Sequence, residues 1–192
     1  MLELKGYGYE VYGIDLDPEA VKIAKRRGLK VENLSIEDIS LDNKRFDLII
    51  AIALLEHLTE PLAFLQRVGS LLKETGKVIL QYPNRDSLNA RVSRLSKHSW
   101  DMYGEPGHVF FYSLENLKNM AQRVGLRLRE TNTATILVRG KIPLLPVRMV
   151  ALEERVIASC RRSSAFRKVY AGVIKLFDWL QLGDTRIVVL EK

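Results

Sequence analysis

A single cysteine, Cys160, in 192 residues excludes an internal disulfide framework and any metal site built on several thiolates. It fits a reducing cytoplasm. No apolar run approaches the roughly 18 residues a membrane-spanning helix needs. The opening Met1-Leu2-Glu3-Leu4-Lys5 is too short and too charged for a secretory signal. There is no internal repeat and no low-complexity tract, so neither a solenoid nor a disordered tail is indicated. Net positive charge is concentrated in one place. The formal net charge is +7, yet 141–182 alone holds eight Lys/Arg against Glu153, Glu154 and Asp178. The remainder is close to neutral, and the basic residues lack the interleaved aromatics or known motif of a nucleic-acid binder.

What is present is a chain long enough to bury a proper core, of ordinary soluble composition. It is organised around Arg45 to Pro61, RFDLIIAIALLEHLTEP. The run from Phe46 to Leu55 is nearly free of polar atoms and rich in isoleucine, which predicts a strand buried on both faces, as in the middle of a parallel sheet. Glu56 and His57 follow at once, then Thr59-Glu60-Pro61, a helix start with Thr59 as N-cap. A buried strand thereby delivers a carboxylate and an imidazole to its C-terminal end, the edge where open α/β sheets bind ligands.

The rest falls into alternating elements. Tyr9 to Asp15 reads as a strand, and Asp17-Pro18-Glu19 as the start of a helix that stops at Gly28. Leu29 to Leu34 is a short strand, followed by a turn at Ser35-Ile36-Glu37-Asp38. After the Phe46 strand comes a helix (Leu62, Leu65, Val68, Leu71, Leu72) ending near Gly76, and a strand from Lys77 to Tyr82. Beyond it lie a helix over 87–95, another capped by Ser113 and closed by Gly125, and a strand from Leu126 extending to Arg139. Two amphipathic helices between Ile142 and Leu182 and a final strand, Arg186 to Leu190, complete the chain.

The order of elements resembles a class I S-adenosylmethionine-dependent methyltransferase, of the ubiquinone-type O-methyltransferase-like branch. The resemblance is carried by GYEVYGIDLDPEAVKIAKRRG (8–28), RFDLIIAIALLEHLTEPLAFL (45–65) and GKVILQYPN (76–84), with WDMYGEPGHVFFYSLENL (100–117) similar to the small-molecule branch. It implies an α/β, Rossmann-like, doubly wound and mainly parallel sheet. The core would span 1–139, a basic helical insertion 140–182, and the last strand of the sheet 183–192. The family begins with a strand and a glycine-rich loop that wraps the methionine part of the cofactor. Gly6 and Gly8 do not replace it, since they read as a turn between a short helix and the Asp15 strand. The expectation is therefore a chain truncated before that loop. The missing strand would sit between the Asp15 and Phe46 strands, which would either pair directly or leave unpaired, association-prone edges. Weak cofactor binding is expected, and micromolar affinity by isothermal titration would refute it.

The resemblance also assigns residues. Asp15, at a strand end, is expected to accept both ribose hydroxyls, with Leu16 on an adenine face, Ile36 and Glu37 at the adenine edge, and Ala51 and Ile52 under the cofactor. Read as plain structure, Asp15 is a cap and the others are core or turn residues. His57 is the candidate base for an acceptor hydroxyl, His108 a second catalytic candidate, and Glu56 a substrate contact. Each could instead be a structural residue tied to the backbone. In the ubiquinone-type enzymes two glutamates and the histidine form a metal-binding E-x-x-E-H. Ala53 stands at the first glutamate position here, so no metal is expected. Trp100, Tyr103 and Phe111 would line an apolar acceptor pocket under a lid over 103–112, or simply anchor that loop.

Function is thus expected to be methyl transfer, at oxygen, to a small-molecule or lipid-linked acceptor, with S-adenosyl-L-methionine as cofactor and a cytoplasmic location. The segment 141–182 reads as a peripheral membrane-surface or homodimer element, or as helices packed on the sheet with a solvated basic face. Two rivals come from other classes. A nicotinamide-dependent oxidoreductase would also use Asp15, but no tyrosine-lysine or histidine set for hydride chemistry is seen. A non-catalytic methyltransferase-like module would be the reading if the cofactor site is incomplete.

Overall fold

The structure, a computed structural model, describes residues 1–36, 38, 45–95, 100–134, 172, 175, 176 and 178–192. They form two compact units, Met1–Lys44 and Arg45–Lys192. Nearly all of the insertion expected over 140–182, including Val169, Val173 and Phe177, lies outside the described residues, as does the strand extension past Ala134.

The first unit consists of α1 (Leu2–Gly6), β1 (Tyr12–Ile14), α2 (Pro18–Arg26) and β2 (Lys30–Glu32). β1 and β2 pair in parallel, with Gly13 opposite Val31. The α2 helix begins as its sequence dictates: the Asp17 side chain accepts the Glu19 amide, and Pro18 occupies the first turn, where its missing N–H is not needed. Gly28, at φ +73°, lets the chain leave the helix in the left-handed region that a side chain would disfavour. Val21 and Val31 are the unit's buried apolar side chains, while Tyr7, Tyr9, Leu16 and Ile23 stay exposed.

The second unit contains β3 (Phe46–Ile52), α3 (Pro61–Leu71), β4 (Leu72–Pro83), α4 (Leu88–Leu95), α5 (Leu114–Arg123), β5 (Arg127–Ala134) and β6 (Thr185–Glu191). Its sheet has the order β3-β4-β6-β5. β3 runs parallel to β4, and β6 runs antiparallel to both β4 and β5, giving the expected closing pair. In register, Ala51, Leu80 and Val188 share one face with Val78, Tyr82 and Leu190, and all are buried. Helices α3 and α5 pack on the sheet and on each other, contributing Leu65, Val68, Leu117 and Ala121 to that core.

Three sequence expectations are corrected. β3 is not buried on both faces. It is the edge strand of its sheet, and Leu48, Ile50 and Ile52 are 40, 41 and 60% exposed. An unbroken apolar run cannot distinguish a central strand from an edge strand with one open face. Glu60, not Thr59, is the N-cap of α3, because Pro61 takes the first helical position and the cap must immediately precede it. The helix does not run to Gly76. It ends at Leu71, and β4 begins at Leu72 and passes through Gly76, where a Cβ would stand 2.8 Å from the Phe46 carbonyl oxygen. That glycine serves a close backbone approach rather than a helix stop. Of the two outcomes expected for β1 and β3, direct pairing is not seen among the described residues; they belong to separate sheets.

Candidate active site

In the second unit the end of β3 is turned by its backbone. Ala53 adopts φ +49°, a left-handed conformation uncommon for a side-chain-bearing residue, while its amide still bonds the Gln81 carbonyl of β4. The chain then makes a 3-10 turn over Leu55–His57 before Pro61 starts α3. Glu56 and His57 are thereby delivered beyond the C-terminal end of a parallel strand pair, as the sequence predicts. Their burial differs sharply: Glu56 is 2% exposed, whereas His57 is open to solvent.

The loop over 100–112 is fastened to this turn. Val109 and Phe110 donate their amides to the Glu56 carbonyl oxygen at 2.8 and 3.3 Å. His57 Nδ1 lies 2.9 Å from the Gly107 carbonyl oxygen, and the Tyr112 hydroxyl reaches the Leu55 carbonyl oxygen at 3.5 Å. Gly107 sits at φ +84°, and a Cβ there would stand 3.2 Å from His57 Nδ1. A side chain at 107 would meet both backbone strain and the imidazole. These bonds bring His108 beside His57, with ring centroids 4.8 Å apart in an edge-on arrangement. His108 Nδ1 in turn lies 3.0 Å from the Met102 carbonyl oxygen. A carbonyl can only accept, so in both rings it is Nδ1 that donates and Nε2 that is left to face other groups.

Glu56 completes the cluster. One carboxylate oxygen, a ring nitrogen of His57 and one of His108 all lie within 4.8 Å of one another. Glu56 Oε2 has no hydrogen-bond partner among the described residues. Burial pushes the Glu56 carboxyl above its usual range, opposed by its own backbone amide and by the two imidazoles. Tyr112, buried behind the turn, is pushed up to about 12, first by burial and then by the Glu56 charge. Tyr112, Gly107 and the exposed Val109 and Phe110 were not singled out from sequence. The glycine at the head of GHVFFY was the signal for the first two, since only a tight turn there could fold the loop back onto the strand end.

The aromatic candidates divide. Trp100, 4% exposed, packs against Tyr103 and Phe111 with centroids at 5.2 and 5.5 Å, and Tyr103 and Phe111 touch at 4.8 Å. His108 and Phe111 lie at 5.7 Å. Trp100 therefore anchors the loop, and Tyr103, 44% exposed, presents apolar surface beside the histidines. Ala51 is in the core and Ile52 is exposed on the opposite face of β3.

In the first unit, Asp15 follows β1 and is exposed. Its Oδ1 accepts the Asp17 amide at 2.9 Å. That contact orients the carboxylate at the end of β1. Leu16 is 71% exposed, an apolar surface suited to a base face. Asn33, not anticipated from sequence, donates its side-chain amide to both the Asp15 and Leu16 carbonyls at 2.9 Å and pins this turn. Ile36 is half-buried in the turn after β2, and Glu37 lies outside the described residues.

Against known proteins, the chain matches the model of a methyltransferase domain over residues 1–131. It is 27% identical over 122 residues to an uncharacterized protein of Methanocaldococcus jannaschii, covering 63% of this chain and 58% of that protein. It is 35% identical over 85 residues to the ubiquinone biosynthesis O-methyltransferase of Xanthomonas oryzae pv. oryzae, covering 41% of this chain and 36% of that enzyme. The chain thus spans 58 and 36% of the length of these two relatives. A crystal structure of a SAM-dependent methyltransferase from Archaeoglobus fulgidus superposes with a TM-score of 0.63 at 19% identity, over 100% of this chain and 80% of that one. The magnesium protoporphyrin IX methyltransferase of Synechocystis PCC 6803 superposes with a TM-score of 0.58 at 14% identity, over 98 and 66%. A family model matching well over half the chain, together with this fold, places the protein among the class I S-adenosylmethionine-dependent methyltransferases.

Proposed function

We propose that this protein transfers a methyl group from S-adenosylmethionine to an oxygen of a small-molecule or lipid-linked acceptor. The observation that carries the reading is the pairing of His57 with His108 at the C-terminal end of β3, brought together from segments 51 positions apart. When bound, S-adenosylmethionine supplies a methyl group on a positively charged sulfur. Displacement in line from that sulfur to an acceptor oxygen yields S-adenosylhomocysteine and a methyl ether, and one proton must leave the acceptor. The chain's own work is to place the acceptor and to receive that proton.

His57 and His108 suit the second task. Their Nδ1 protons are held by the Gly107 and Met102 carbonyls, which leaves Nε2 to accept. Tyr103, Val109 and Phe110, each more than 40% exposed, give an acceptor an apolar surface on the same loop. For the cofactor, Asp15 is the residue assigned to the ribose and Leu16 to the adenine.

The test is methyl transfer from radiolabelled S-adenosylmethionine to a panel of phenols, catechols and matched anilines. Phenolic products are expected, with the His57→Ala, His108→Ala double variant slowed by about 100-fold, the lower range for a lost proton acceptor. Methylation of the anilines alone, or a double variant as fast as wild type, would overturn the oxygen reading.

A further inference from the structure

The basic segment 141–182 admits two readings from sequence, helices packed on the sheet or an element that meets a membrane surface. Its described end bears on the choice. Gly172, Lys175, Leu176, Asp178 and Trp179 are helical, and the Leu180 amide bonds the Leu176 carbonyl oxygen at 2.9 Å. Leu176, Trp179 and Leu180 stand at i, i+3 and i+4, so they share one side of that turn. A helix packed on the sheet by this side would hide them, yet they are 50, 76 and 45% exposed. Lys175, also exposed, is four residues before Trp179 and lies on the same side. Asp178 is drawn the other way, toward Gly183, where a Cβ would stand 2.6 Å from its Oδ1. The turn is fastened rather than loose. Gln181 ends the helix at φ +58°, in the left-handed region. The Thr133 hydroxyl of β5 donates to the Asp178 carbonyl oxygen at 3.2 Å, and Gln181 Nε2 donates to Asn132 Oδ1 at 3.3 Å. Buried Arg186 of β6 donates from Nη1 to Gln181 Oε1 at 3.3 Å. These bonds fix the exposed stripe at the end of the sheet where β5 stops and β6 starts.

We propose that this turn docks on a membrane surface rich in anionic phospholipid, with Leu176, Trp179 and Leu180 inserted at headgroup depth. Two observations select that occupant. Between Glu154 and Asp178 the sequence carries six Lys/Arg and no acid. Such a run is attracted to anionic lipid and repels a second copy of itself. The exposed side chains are also of the kind that settles between water and acyl chains: an indole, with an apolar body and one N–H donor, flanked by two leucines. An apolar stripe beside a basic run is the pattern of helices that lie in the plane of the interface. The insertion is shallow and the attraction electrostatic, so docking is reversible and weakened by salt. The inference does not rest on the methyl-transfer reading, since neither cofactor nor acceptor enters it.

The test is flotation of the full chain, at low salt, with vesicles of phosphatidylcholine alone and of an equal mixture of phosphatidylcholine and phosphatidylglycerol. Flotation with the mixed vesicles only is expected. Trp179 is one of two tryptophans, and the other, Trp100, is 4% exposed. Tryptophan emission should therefore shift to the blue on the mixed vesicles in wild type and stay unchanged in Trp179→Phe. Leu176→Ser combined with Leu180→Ser should weaken vesicle binding at least tenfold, and Lys175→Glu severalfold. Quenching of Trp179 by brominated phosphatidylcholine in the mixed vesicles reads the insertion in wild type, with no substitution that could disturb folding. Wild type that does not float with the mixed vesicles, a double serine variant that floats as well as wild type, or emission unquenched by the brominated lipid would each overturn the proposal. A lipid-free dimer in sedimentation that the same substitutions dissociate would also overturn it, by making the stripe an interface between copies.

Discussion

Tyr82 shows how a single side chain records its surroundings. It is buried in β4 with a hydroxyl that has no hydrogen-bond partner. Burial raises its pKa well above the usual range; Arg186 draws it down in part, and Asp86 raises it further. Such a phenol ionises more readily in the unfolded chain. Its contribution to stability is therefore complete below the unfolded value of about 10 and is lost as pH rises past it. Tyr82→Phe removes both the orphan hydroxyl and that titration. Urea melts should show the variant as stable as wild type at pH 7, or up to about 1 kcal/mol more stable, and declining less steeply toward pH 11. Parallel declines for the two proteins would show that Tyr82 is not the group responsible. Nothing in the sequence marks this tyrosine, since an alternating strand residue reads the same with or without a partner for its hydroxyl.

At the scale of elements, most of the pattern was legible. The α2 helix carried its signals in Asp17-Pro18 and Gly28, and α5 carried a capping box that the structure closes between Ser113 and Asn116. Such local chemistry needs no knowledge of the rest of the fold. The neighbours of β3 were not legible, because pairing is decided by distant segments. β3 has one bonded side and one apolar face carrying Leu48 and Ile50. An exposed apolar edge strand is a ready template for association. Leu48→Lys together with Ile50→Lys should lower self-association in sedimentation experiments, at a cost in stability of less than about 1 kcal/mol per position. Unchanged association at equal concentration would show that this face is not the one involved.

For the whole molecule, the order of strands and helices pointed to the methyltransferase fold, which the family match and the solved structures bear out. Asp15, Glu56 and His57 stood out in the sequence because each closes a short apolar run. The partnership of His57 with His108 did not, since it depends on Gly107 and on two amide bonds to the Glu56 carbonyl across some fifty residues. Among the described residues no helix is long and apolar enough to cross a membrane.

Asp15 is proposed to hold the cofactor ribose, and thermal melting with S-adenosylhomocysteine tests this most directly. Ligand that binds only the folded chain raises the melting point in proportion to the logarithm of its concentration over Kd, so millimolar ligand reveals even weak binding. Wild type should be stabilised, His57→Ala should be stabilised equally because its work is at the acceptor, and Asp15→Ala should show no shift. A wild type that melts at the same temperature with and without the ligand, or an Asp15→Ala variant stabilised as much as wild type, would contradict the account.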